Sequence, residues 1–150
     1  MFYNFRKNKK AFTLVELIVV IAIIAILGAV VGVVVSGFVD RARVTAATDP
    51  LSSLADQWQV NVNEVTPKTL QAYIQQIFPN DAASFAVSDS TVLTKTPSQL
   101  KSSTFYIYFH DDNCGSYYGQ IEFKKNSIDK SNVTTVEAKP SSYTAVPAAS

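Results

Sequence analysis

The chain has 150 residues, 47% of them hydrophobic, with a formal net charge of +1 and a single cysteine. That length holds one globular domain at most, and one thiol rules out an internal disulfide framework. The near-neutral total hides a division: residues 1–10 carry four cations and no acid, while residues 40–150 carry nine cations and eleven acids. Scattered charge with a slight acidic excess excludes an electrostatic case for nucleic-acid binding.

The four cations, Arg6, Lys7, Lys9 and Lys10, lead into residues 11–39, AFTLVELIVVIAIIAILGAVVGVVVSGFV. From Leu17 to Val39 there are 23 residues with neither a charge nor a proline. As a helix they span about 35 Å, enough to cross a hydrocarbon core of about 30 Å with some tilt. The apolar part of a secretory signal peptide is only about 7 to 15 residues long, so this run predicts a retained membrane helix. The positive-inside bias sets the N-terminus in the cytoplasm and sends residues 40–150 across the membrane. Gly28 and Gly32 stand at GxxxG spacing, which permits close helix approach in a bilayer, and Gly37 adds a third place where the helix can loosen.

One charge interrupts the apolar stretch, Glu16, close to its start. A charged side chain in a membrane helix costs about 2.5 to 3.5 kcal/mol at the centre on insertion scales and less near the end. An ordinary anchor has no use for it; a helix that leaves the bilayer to pack against copies of itself does.

The short basic leader followed by AFTLVELIVVIAIIAIL resembles the N-terminus of type IV pilins and related pseudopilins. The resemblance implies a leader of residues 1–11, removed by a prepilin peptidase between Ala11 and Phe12. It further implies N-methylation of Phe12 and a role for Glu16 in filament assembly. Alanine stands at position 11, where the family usually has glycine, and the helix lacks the proline many members carry. Cutting would create an α-ammonium on Phe12 with a reference pKa of about 8. Glu16 of a neighbouring subunit could then neutralise it, a pair that sets register more surely than it adds stability. The partners implied are other copies of the chain, the peptidase, a membrane assembly machinery, and membrane lipid before assembly. Major pilin, minor pilin, secretion pseudopilin and DNA-uptake subunit share this N-terminus. A membrane-tethered binding protein that never polymerises is the alternative from another class.

Beyond Val39, the residues Val44, Ala47, Leu51, Leu54, Ala55, Trp58, Val62 and Val65 recur at helical spacing. Pro50, with Asp49 before it as a possible cap, predicts either a restart or a kink in one long helix. A second helix is expected from a Thr66 cap and Pro67, with Leu70, Tyr73, Ile74, Ile77 and Phe78 as its apolar face and Pro79 ending it. Residues 80–103 read as loop with one short strand. Thr104–His110 is a candidate central strand, Tyr118–Lys124 an alternating one, and Val133–Ala138 a weaker third. Residues from about 140 have the composition of a surface tail.

The expected fold is therefore α+β: a long N-terminal helix packed against a small antiparallel β-meander, divided into leader 1–11, membrane or filament-core helix 12–39 and exported head 40–150. His110, Asp111, Asp112 and Asn113 are too close together to surround one ion and read as a solvated turn. Cys114 reads as an incidental loop thiol, and Asn132-Val133-Thr134 as a chance sequon. No catalytic residue, cofactor site or metal site is expected.

Overall fold

The computed structural model describes residues 12–125 and 127–149. The chain divides into two units at Val39/Asp40. Helix α1, Leu14–Asn63, contributes to both, with Pro50 inside it. The fold is α+β, an N-terminal helix with an antiparallel sheet.

In the first unit, every large apolar side chain of α1 from Leu14 to Val39 is exposed. This part of α1 is long and apolar enough to cross a membrane.

In the second unit the apolar stripe becomes a core. Ala47, Leu51, Leu54, Ala55 and Trp58 are buried, whereas Val44 and Val62 are half-buried. Val65, expected on the stripe, is 99% exposed because α1 has already ended at Asn63. Pro50 neither restarts nor caps the helix. Beside it, the Thr48 and Ser52 hydroxyls donate to the Val44 and Thr48 carbonyls at 3.0 and 3.2 Å, an internal satisfaction that serine and threonine commonly find in helices.

Helix α2 is shorter than expected, Leu70–Ile77, and its cap is Thr69. Asn61, a buried polar residue on the core side of α1, explains the late start. Its amide donates to the Lys68 carbonyl at 3.2 Å and accepts the Lys68 N–H at 2.9 Å, so residue 68 is tied to α1 instead of opening a helix. Leu70, Tyr73 and Ile74 are buried as expected, and the Tyr73 hydroxyl donates to the Gln57 carbonyl.

Six antiparallel strands form the sheet: β1 Phe85–Val87, β2 Thr104–Phe109, β3 Tyr118–Lys124, β4 Ser127–Ile128, β5 Thr134–Val136 and β6 Thr144–Ala145. The order is β4-β3-β2-β1-β6, with β5 also pairing β3. β2 and β3 run in register from Thr104↔Lys124 to Phe109↔Gly119. On one face, Phe105, Ile107, Phe109, Ile121 and Phe123 join the core. There Phe123 stacks on Phe105 at 4.5 Å, and Trp58 meets Tyr73 and Phe123 edge-to-face at 5.5 and 5.6 Å, the offset geometry aromatic pairs favour.

The C-terminal segment is not a surface tail throughout. Thr144 and Ala145 pair with Val87 and Ala86, and Val146 is buried in the core. Tyr143 stacks against Tyr108 at 6.0 Å, so the outer face of the central strand β2 is covered at Tyr108.

Gly119 is where helix and sheet come closest. A Cβ there would fall on the Ala47 carbonyl and lie 3.0 Å from Leu51 Cδ1. Because the obstruction is helix backbone, it cannot swing aside as a side chain could. Gly119→Ala in a chain of residues 40–150 should therefore lower stability by about 3 kcal/mol or more, at the upper end of overpacking costs. Denaturant melts of the two chains check this; equal midpoints would show that α1 does not lie where its backbone is described.

Candidate functional site

The N-terminal end of α1 gathers the residues singled out by sequence. Thr13 precedes the helix and Glu16 is the acid of its first turn. The Glu16 N–H donates to Thr13 Oγ1 at 3.2 Å, while the Thr13 N–H and hydroxyl donate to Glu16 Oε2 at 2.8 and 3.0 Å. This reciprocal arrangement is a capping box, in which two helix-end N–H groups are satisfied by side chains. Sequence reasoning missed it, although a Thr-x-x-Glu spacing before an apolar run is its signature. It alters the expected position of Glu16: the carboxylate already has donors within its own chain.

Phe12 lies outside the helix and is 84% exposed. Ala11, the other side of the expected cut, and the leader 1–10 fall outside the described residues. Further along, a Cβ at Gly28, Gly32 or Gly37 would meet nothing within 4 Å, so the small-residue positions are open surface. The Ser36 hydroxyl turns inward and donates to the Val33 carbonyl at 2.9 Å, which removes a polar group from the helix surface.

Residues 6–37 match the family model described as the prokaryotic N-terminal methylation motif. The motif spans the basic leader, Phe12, the Thr13–Glu16 box and most of the apolar helix. Together with the apolar helix, this motif supports membrane anchoring. No curated protein and no solved structure matches the chain.

The second group considered from sequence, His110 to Cys114, is structural. Asp111 caps a short 3-10 turn, accepting from the Asn113 and Cys114 N–H groups at 2.9 and 3.2 Å. His110 Nδ1 lies 2.9 Å from the Tyr117 carbonyl, and its ring stacks on Tyr118 at 4.0 Å. Among the described residues no cluster of three or more His, Cys, Asp or Glu side chains converges.

Cys114 is a correction. It is fully buried rather than a free loop thiol, because the 3-10 turn folds it under the sheet's hairpin and into the core. Its Sγ–H donates to Asp111 Oδ1 at 3.1 Å. Burial, with the Asp111 carboxylate holding the thiol hydrogen, pushes the Cys114 thiol up to about 11. At pH 8 only about one thiol in a thousand is then thiolate, the reactive form. Native protein should resist iodoacetamide at pH 8 and react promptly once unfolded. Mass analysis of both samples checks this, and rapid native alkylation would contradict the burial. Cys114→Ala should lower the melting temperature measurably, since it removes a buried sulfur from the core together with its bond to Asp111.

Proposed function

We propose that the chain is made as a prepilin, cut between Ala11 and Phe12, methylated on the Phe12 nitrogen, and assembled as a structural subunit of a type IV pilus or a closely related filament. The observation that carries this reading is the methylation motif at residues 6–37, in register with a stretch of helix, Leu14 to Val39, whose large apolar side chains are all exposed. On this reading residues 1–11 are the leader, residues 12–39 are first the membrane helix and then the filament core, and residues 40–150 are the exported head. The partners are other copies of the chain, the prepilin peptidase and a membrane assembly machinery, with lipid around the helix beforehand. The N-terminus faces the cytoplasm before assembly, in keeping with the four leader cations.

Glu16 has two successive roles in this scheme. In the uncut chain its carboxylate serves the capping box. After cutting, the Phe12 ammonium of a neighbouring subunit becomes a second partner for it as the helix enters the apolar filament core.

Intact-mass and N-terminal analysis of the protein from its native membrane should find a chain starting at methylated Phe12. A Met1 terminus, or a terminus beyond Val39, would end the reading. Glu16→Ala should still be inserted and cut before Phe12, yet incorporate poorly into filaments, because an unpaired ammonium in the core costs several kcal/mol. Glu16→Gln keeps the size and the hydrogen-bonding capacity while removing the charge, and so separates charge from shape. Abundant filaments built mainly from the Glu16→Ala chain would remove the assembly role.

A further inference from the structure

An antiparallel sheet packed on one side ordinarily turns polar side chains to water on the other. Here the side away from the core carries rings. Tyr106 and Tyr108 alternate along β2 with the core residues Phe105, Ile107 and Phe109. Tyr106 stacks on Tyr108 at 6.3 Å and Tyr108 on Tyr143 at 6.0 Å. Tyr143 meets Tyr118 edge-on at 5.9 Å, and Tyr118 stacks on His110 at 4.0 Å. The rings form one continuous row. Tyr108 is buried at its middle, Tyr118, Tyr143 and His110 are half-buried, and Tyr106 is 39% exposed. Each ring is held by its neighbours, so binding has little side-chain freedom left to remove.

The surroundings of the row select the ligand. Gln120 stands opposite Tyr108, and Thr134 opposite Gln120, an amide and a hydroxyl that both donate and accept. Glu122 stands opposite Tyr106, and the Lys139 ammonium lies 4.7 Å from the centre of the Tyr143 ring. One acid and one cation do not make the positive groove that a stacked nucleic-acid strand follows. An extended peptide joins a sheet at its edge, and this is a face.

We propose that this face binds a neutral oligosaccharide. A sugar ring presents weakly positive C–H groups on its flat side, which pack on the electron-rich face of an aromatic ring. Its rim of hydroxyls suits uncharged partners such as Gln120 and Thr134. Tyr106, the most exposed ring of the row, is the principal platform. The inference goes beyond the filament reading and stands whether or not the chain is cut.

The test titrates cellohexaose, maltohexaose and N-acetylated chitohexaose into the full-length chain in phosphatidylcholine nanodiscs, by calorimetry. At least one should bind with a Kd of about 1 mM or tighter. Tyr106→Ala should weaken that binding about tenfold, the worth of one aromatic contact, and Tyr106→Trp should retain it. Gln120→Leu leaves the rings in place and should weaken it about fivefold through lost hydrogen bonds. Val60→Ala, exposed on α1, should change nothing. Absence of binding by all three sugars up to about 10 mM, tenfold above that Kd, overturns the proposal. So does binding that Tyr106→Ala and Gln120→Leu both leave unchanged, which would place the sugar elsewhere. Preference for a short oligothymidylate would give the face to nucleic acid, and self-association lost in Tyr106→Ala without sugar binding would make it a contact between copies; either result overturns it.

Discussion

The apolar surface of α1 between Leu14 and Val39 sets the terms for the rest of the molecule. Eighteen large apolar side chains in that span are exposed. Each contributes about 1.5 to 3 kcal/mol when taken out of water, so leaving the set wetted costs on the order of tens of kcal/mol. No stability of the head could offset that, since folded domains retain only about 5 to 15 kcal/mol in all. The helix must therefore be in lipid or among other helices throughout its existence. A helix suits both settings because its backbone bonds are satisfied internally, and the unbroken run from Leu17 to Val39, free of proline, keeps them so.

Within that apolar surface, the capping box settles how a carboxylate is tolerated. Glu16 sits at the positive end of the helix dipole, where negative charge is favoured, and it receives two donors from Thr13. A lone carboxylate one or two turns deeper would have neither advantage. The same side chain that closes the helix is thus the one acid its apolar stretch has to accommodate.

Much of this was legible in the sequence, and the parts that were not share a cause. The α1 stripe from Ala47 to Trp58, the strand Tyr118–Lys124 and the presence of one short strand within residues 80–103 follow from periodicity and β-propensity, which are local. Asn61 is polar and not part of the apolar stripe, yet it is buried because the backbone of Lys68, seven residues on, satisfies both ends of its amide. That bond displaced the start of α2 from Thr66 to Thr69. Gly119 carries no sign in the sequence that helix backbone crosses above it. β6 hid within a stretch of turn-forming composition, because two residues are too few to show a period and their pairing partner lies almost sixty positions earlier. Cys114 was misplaced because turn chemistry on either side of it masked a residue that the turn folds inward. At the N-terminal site the sequence pointed to Phe12 and Glu16, whereas Thr13 emerged only with the hydrogen bonds that involve it.

The pairing of β6 with β1 also makes the closure of the core wait on residues almost sixty positions downstream. β1 has β2 on one edge and β6 on the other, and Val146 fills the core beside Phe85, whose carbonyl accepts its N–H at 2.8 Å. A ribosome holding residues beyond 140 in its tunnel leaves that edge unpaired and the core open. Long-range closures of this kind are the slow steps of folding. The core beside Phe85 thus closes only once residues 144–146 are free to pair.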